Sequence, residues 1–152
     1  MEIREARASD VPSLEIVRRQ AIESGFSGEY DRSAFAGLVA APERKLPEWI
    51  EEPRYLTLIA ETEISPLAFG TYDRDRATIL ALYTAPEEER RGLASALLER
   101  FEREARERGE TELVAISPRG AVGYFFARGF ERVGTAEWNG VSAYELTKSL
   151  GD

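Results

Sequence analysis

The sequence predicts a mixed α/β fold of the α+β kind, in one domain spanning residues 1–152. Three observations predict it. Short apolar, β-rich runs bounded by turn residues recur through the middle and the end of the chain, Tyr55–Ala60 among them. After Gly92 the apolar positions Leu97, Leu98, Phe101 and Ala105 fall at helical spacing. The resulting order is strand, helices, three strands, helix, strand, helix, two strands, with no internal repeat or linker between them.

In order, Glu2–Ala6 is the first strand. Ser9 or Asp10 caps a helix that tolerates Pro12 in its first turn, carries Leu14, Val17 and Ala21 as its inner stripe and stops at Gly25. A second helix covers Arg32–Val39, Ala41-Pro42 breaks it, and a short helical piece near Pro47–Glu51 carries Trp49. Pro53 opens a meander: Tyr55–Ala60, Leu67–Tyr72 after a turn at Glu61–Ser65, then Thr78–Tyr83 after the polar tip Asp73–Arg76. Beyond the long helix, Glu112–Ile116 is a strand and Ala121–Arg128 a short helix ended by Gly129. Phe130–Val133 and Val141–Leu146 close the chain, joined through Trp138-Asn139-Gly140.

Composition limits the chemistry. The chain has 152 residues, 43% of them hydrophobic, enough for a sizeable core. It has no cysteine and no histidine, which removes disulfides, thiolate nucleophiles, Ser-His-Asp triads and the commonest zinc sites. No metal is implied. A formal charge of −8 argues against a nucleic-acid partner. No apolar run is long enough to span a bilayer, and Met-Glu-Ile-Arg-Glu is not laid out as a signal peptide, so the expected location is cytoplasmic. Of twenty basic residues two are lysines, Lys45 and Lys148, leaving eighteen arginines. An acidic, lysine-poor, cysteine-free composition is that expected of a protein from a high-salt cytoplasm; a GC-rich genome with an ordinary acidic surface gives it too.

The stretch from Ile79 to Arg108 organises the rest. Ile79–Tyr83 is short enough for a buried strand and Pro86 marks its end. Glu89-Arg90-Arg91-Gly92-Leu93-Ala94-Ser95 then brings small residues and two arginines to the start of a helix. The first N–H groups of a helix have no partner within it, and its dipole favours negative charge there, so this junction is an anion cradle. Farther along, Glu99 with Arg103, Glu102 with Arg106 and Glu104 with Arg108 stand at i,i+4 and read as a solvated outer face.

Pro86 to Leu98 resembles the acetyl-CoA-binding motif of the GCN5-related N-acetyltransferases, the GNAT superfamily, usually written Gln/Arg-x-x-Gly-x-Gly/Ala. Gly92 and Ala94 match, while Glu89 stands where Gln or Arg is usual. Tyr124-Phe125-Phe126-Ala127-Arg128-Gly129-Phe130 resembles the family's aromatic-Tyr-x-x-x-Gly-Phe element. The resemblance implies a GNAT-like central mixed, mostly antiparallel twisted sheet of about six or seven strands flanked by about four helices. It implies acetyl-CoA as cosubstrate, CoA as product, and direct attack by a primary amine of a small molecule or protein N-terminus. The protein would be a monomer or a homodimer.

Residue by residue, the resemblance places the pantetheine arm against the backbone of Leu82, Tyr83 and Thr84, with the Leu82 N–H as oxyanion donor. It places the pyrophosphate on Glu89, Arg90, Arg91, Gly92, Leu93, Ala94 and Ser95. Two positions depart from the pattern. The tyrosine that often serves as general acid falls on Phe125, and an asparagine seven residues earlier falls on Pro118. Tyr124 is the adjacent candidate acid, although a neighbouring helical residue points about 100° away. Phe26, Tyr30 and Trp49 are acceptor-pocket candidates. For a general base, Thr78 and Leu80 occupy the strand position where the family sometimes has glutamate, and Glu29, Asp31, Tyr72 and Asp73 are further candidates to reach the acceptor side. A water chain would serve equally. Two other readings remain: a non-catalytic acyl-CoA-binding or sensing module, favoured by Phe125 and Pro118, and a plain acidic structural domain.

Overall fold

The structure, a computed structural model, describes residues 1–25, 28, 30–62, 65–86 and 92–151. Its strands are β1 (Glu2–Glu5), β2 (Tyr55–Glu61), β3 (Pro66–Asp73), β4 (Thr78–Thr84), β5 (Glu112–Pro118), β6 (Glu131–Trp138) and β7 (Val141–Ser149). Its helices are α1 (Val11–Gly25), α2 (Arg32–Ala40), α3 (Leu46–Glu51), α4 (Leu93–Glu107) and α5 (Val122–Phe126). The seven strands form one sheet in the order β1-β2-β3-β4-β5-β7-β6. Every pairing is antiparallel except β4 with β5.

Helices cover both faces, which is why the central strands read as continuous apolar runs rather than alternating ones. On one face α4 and α5 bury Leu97, Phe101 and Phe125 against Leu58, Tyr72, Ile79, Leu113 and Leu146. On the other, α1, α2 and α3 bury Leu14, Ile22, Leu38, Leu46 and Trp49 against Ile59, Phe69, Tyr83 and Trp138. The period of two along β3 sends Ala68 and Tyr72 to the first face and Phe69 to the second. Gly70 lies on the α4 side, where a Cβ would meet the Ala81 carbonyl and the Phe101 ring, both at 2.9 Å. Only glycine admits that approach.

Several boundaries differ from the sequence reading. Residues Ala8–Asp10 form a single 3-10 turn, Asp10 Oδ2 accepts the Arg7 N–H at 2.7 Å, and α1 begins at Val11. β6 continues to Trp138 and β7 to Ser149, since each supplies the other's ladder up to the turn at Asn139 and Gly140, both at positive φ. The outer face of α4 is also less free than its spacing suggests. Glu102 is buried and bonds Lys148 Nζ on β7, and Glu104 bonds Arg74 Nε at 2.9 Å. These cross-element pairs replace the expected i,i+4 pairs among the described residues.

Candidate functional site

The site begins where the sheet comes apart. β4 and β5 pair only at Thr78↔Val114 and Ile79↔Ala115. Beyond that seam β4 is held on its β3 side alone. The Ala85 N–H donates to the Leu67 carbonyl, and Tyr83 pairs with Phe69 in the same register. Main-chain groups alternate direction along a strand, so the Leu82 and Thr84 N–H groups point away from β3, into the gap.

A cleft of about 460 Å³ lies along this free edge, between α1, β4, the first turn of α4 and α5. Leu82, Tyr83, Thr84, Ala94 and Tyr124 line it. At one end, Gly92 caps α4 in the left-handed region (φ +75°). The first helical bond there runs from the Ala96 N–H to the Gly92 carbonyl, which leaves the N–H groups of Leu93, Ala94 and Ser95 without a partner in the helix. Glu89, Arg90 and Arg91 lie outside the described residues, as do Phe26 and Glu29. Among the expected cofactor-binding residues, the structure therefore brings Leu82, Tyr83, Thr84 and Ala94 to one cleft, with Gly92, Leu93 and Ser95 on the same first turn as Ala94.

Tyr124 and Phe125 diverge as a helix requires. Phe125 is buried edge-on against Phe130 and has no proton to give. The Tyr124 hydroxyl lies 3.0 Å from Ser95 Oγ, and burial pushes its pKa above the ordinary tyrosine value, against the opposing hydrogen bond from Ser95. Arg128, which the sequence reading passed over, lies across the Tyr124 ring with its Cζ 3.6 Å from the centroid. Its Nε donates to Ser95 Oγ at 3.1 Å and its Nη1 to the Tyr124 carbonyl at 3.0 Å.

Through the gap the cleft narrows between Leu80, Leu82, Ile116, Phe125 and Trp138, and opens on the far side into two adjoining grooves of about 340 and 450 Å³. Both grooves share Lys45, Trp49, Leu80 and Ile116. Trp49 and Trp138 form buried walls, and the indole N–H of Trp138 donates to the Tyr83 hydroxyl at 2.9 Å. Burial pushes that hydroxyl up to about 12. Glu43 and Glu137 line the first groove and Glu145 the second.

The base candidates fare unevenly. Asp31 accepts the Ala34 N–H as the cap of α2. Tyr72 is in the core, stacked on Phe101. Burial pushes the Asp73 carboxyl up, but bonds from Arg54 and the following turn outweigh it and hold it below its usual range. The Thr78 hydroxyl donates to the Arg76 carbonyl. Leu80 lines the groove without a polar group. Tyr30 is buried beside Trp138, its hydroxyl donating to the Ser142 carbonyl at 3.0 Å and accepting the Arg119 N–H at 3.1 Å. Arg18, only 1% exposed, donates to the Ala41 carbonyl and braces the loop that brings Glu43 to the groove. No sequence signal marked Arg18 or the three glutamates, because charged residues on helices and loops read as surface.

A family model described as an acetyltransferase (GNAT) domain matches residues 19–150. Among solved structures, a GCN5-related N-acetyltransferase from Rhodopseudomonas palustris superposes with a TM-score of 0.84 at 22% identity, over 97% of this chain and 94% of that one. A PaiA N-acetyltransferase from Thermoplasma acidophilum, in complex with coenzyme A, gives 0.80 at 20% identity over 97% and 98%. A ribosomal-protein-alanine N-acetyltransferase from Brucella melitensis gives 0.63 at 21% identity over 98% and 99%. No curated protein sequence matches the chain.

Proposed function

Since the chain belongs to the GNAT acetyltransferase family, we propose that it transfers the acetyl group of acetyl-CoA directly to a primary amine, on a small molecule or a protein N-terminus. The observation that carries this reading is the through-going gap between β4 and β5. An open strand edge and a helix N-terminus whose first N–H groups have no partner within the helix line one side of it, and an acceptor-sized groove lies on the other. Both features fit acetyl-CoA: the β4 edge offers N–H and C=O groups to the pantetheine amides, and Gly92–Ser95 offers N–H groups to the diphosphate.

In this reading the amine enters past Trp49 and Trp138 and forms its bond to the thioester carbonyl carbon at the gap. Negative charge develops on the carbonyl oxygen, and the Leu82 N–H is a fixed donor aimed into that space. The carbon–sulfur bond then breaks. Tyr124 is the candidate acid for the thiolate, and burial keeps it protonated at neutral pH. Water can do the same work, because a thiol of pKa about 8.5 is a good leaving group. The amine's proton passes to water in the acidic groove, which Glu43 and Glu137 line together with Trp138.

One observation favours a second reading, a non-catalytic acyl-CoA sensor: the position of the usual acid is the buried Phe125. Following CoA release with a panel of small amines and peptide N-termini, beside calorimetric titration of acetyl-CoA, separates the two. Turnover on any amine supports the enzyme. Tight binding with none supports the sensor, and absence of binding overturns both.

A further inference from the structure

Arg128 stands at two helix ends at once, the C-terminal end of α5, where a cation is favourable, and the start of α4, where one is not. It reaches from the end of α5 to Ser95 in the first turn of α4, the positive end of that helix dipole. Cations are stabilising at helix C-termini and unfavourable at N-termini. Among the described residues no carboxylate pairs with it: Glu102 is taken by Lys148, and Glu99, one turn along α4 from Ser95, makes no bond to it. The guanidinium is nonetheless fixed in place by the Ser95 hydroxyl, the Tyr124 carbonyl and the face of the Tyr124 ring. Nε and one Nη1 hydrogen are used, and Nη2 has no protein partner among the described residues. A stacked arginine with its fork partly free is pre-organised for a phosphate.

We propose that Arg128, held flat on Tyr124 and tied to Ser95, is a ligand for a phosphate group of the cosubstrate, binding it together with the N–H groups of the first turn of α4. The proposal rests on the acyl-CoA reading above. It gives the site a cation on the α5 wall, where the resembled loop motif has Glu89 in place of Gln or Arg. It also gives Ser95 and Tyr124 a shared purpose, since together they fix the height and plane of the guanidinium beside the cleft that Ala94 and Tyr124 line.

The test is calorimetric titration of CoA, dephospho-CoA and pantetheine into the wild-type protein and into Arg128→Gln and Arg128→Lys. The expected result is a 10- to 100-fold weaker binding of CoA to Arg128→Gln, the loss of about one charge-assisted contact, with pantetheine binding unchanged. Arg128→Lys should recover only part of the loss, because an ammonium neither stacks nor presents a fork. A loss shown by CoA but not by dephospho-CoA assigns the contact to the 3′-phosphate; an equal loss for both assigns it to the diphosphate. Unchanged CoA affinity, or an equal loss for pantetheine, overturns the proposal and leaves Arg128 a brace for Tyr124. Should Arg128→Gln fail to fold, Arg128→Lys decides by the same comparison. If the wild-type protein binds none of the three, it is the acyl-CoA reading that falls.

Discussion

Replacing Gly70 with alanine tests the packing that holds the cofactor strand in place. The added methyl would sit 2.9 Å from the Ala81 carbonyl oxygen, 2.9 Å from Phe101 Cε2 and 3.1 Å from Leu82 Cδ1. The first of these is backbone in a paired strand and the second is the fully buried ring at the centre of α4, so neither yields without moving an element. Overpacking of this kind costs about 1–3 kcal/mol. Alanine returns about 0.5–1 kcal/mol by restricting the unfolded chain, which leaves a net loss of up to about 2.5 kcal/mol. For a chain of this length that lowers the melting temperature by up to about 10 °C. Gly37→Ala is the matched control. It lies within α2 with nothing within 4 Å of the added Cβ, so it should gain about 0.5–1 kcal/mol. Thermal unfolding followed by far-ultraviolet circular dichroism reads both. The reasoning is refuted if Gly70→Ala melts at or above the wild-type temperature, or if the two variants shift in the same direction. Because Gly70 pairs directly with Leu82, the variant should also raise KM for acetyl-CoA more than it lowers kcat.

Two further expectations follow from the site and the acid limb of stability. Tyr124→Phe should lower kcat by less than about 10-fold, since thiolate departure does not require an acid; a loss in the 100- to 10,000-fold range of an obligatory proton donor, with KM for acetyl-CoA unchanged, would show that it does. Bonds from Arg4, opposed by burial, hold the Asp10 carboxyl down at about 2, below the unfolded value near 3.9. A depressed carboxylate stabilises the fold above the unfolded pKa and loses that contribution as pH falls toward its folded one. Urea unfolding should therefore show Asp10→Asn less stable than wild type at pH 7 and nearly equal to it at pH 2. An equal gap at both values would count against the linkage.

The order of elements was legible because most of the sheet and its helices carry simple periods. Leu97, Leu98, Phe101 and Ala105 are all buried on one stripe of α4, as their spacing requires. The resemblance puts the pantetheine arm on the backbone of Leu82–Thr84, and those residues stand on the stretch of β4 that β5 leaves unpaired. What escaped was polar and long-range. Arg18 is buried by the loop at Ala41, which no pattern within α1 can announce. Glu102 looked solvated from its i,i+4 partner, yet it lies beside Leu98 and Phe101 and meets Lys148 from a strand 46 residues away. β6 was cut short because its outer residues are exposed along an edge of the sheet, where hydrophobic alternation has little to act on. Arg128 went unremarked since a basic residue near a helix end is ordinary; its meaning comes only from the second helix it reaches.

The two-residue seam between β4 and β5 has a consequence for how the molecule opens. Four strands on one side and three on the other have ladders of their own, and among the described residues the two ladders are stitched together only at Ala77, Thr78 and Ile79. Among the described residues, side chains add further bonds across the divide, such as Trp138 to Tyr83. Local opening takes the route with the fewest backbone bonds to break, so the β5–β7 block and the β1–β4 meander should behave as separate cooperative units. Amide hydrogen exchange in the unliganded protein would then show two protection levels, with the Val114 N–H at the junction exchanging at the lower one despite its central place in the sheet. Saturation with acetyl-CoA, by bridging the two blocks, would merge them into one.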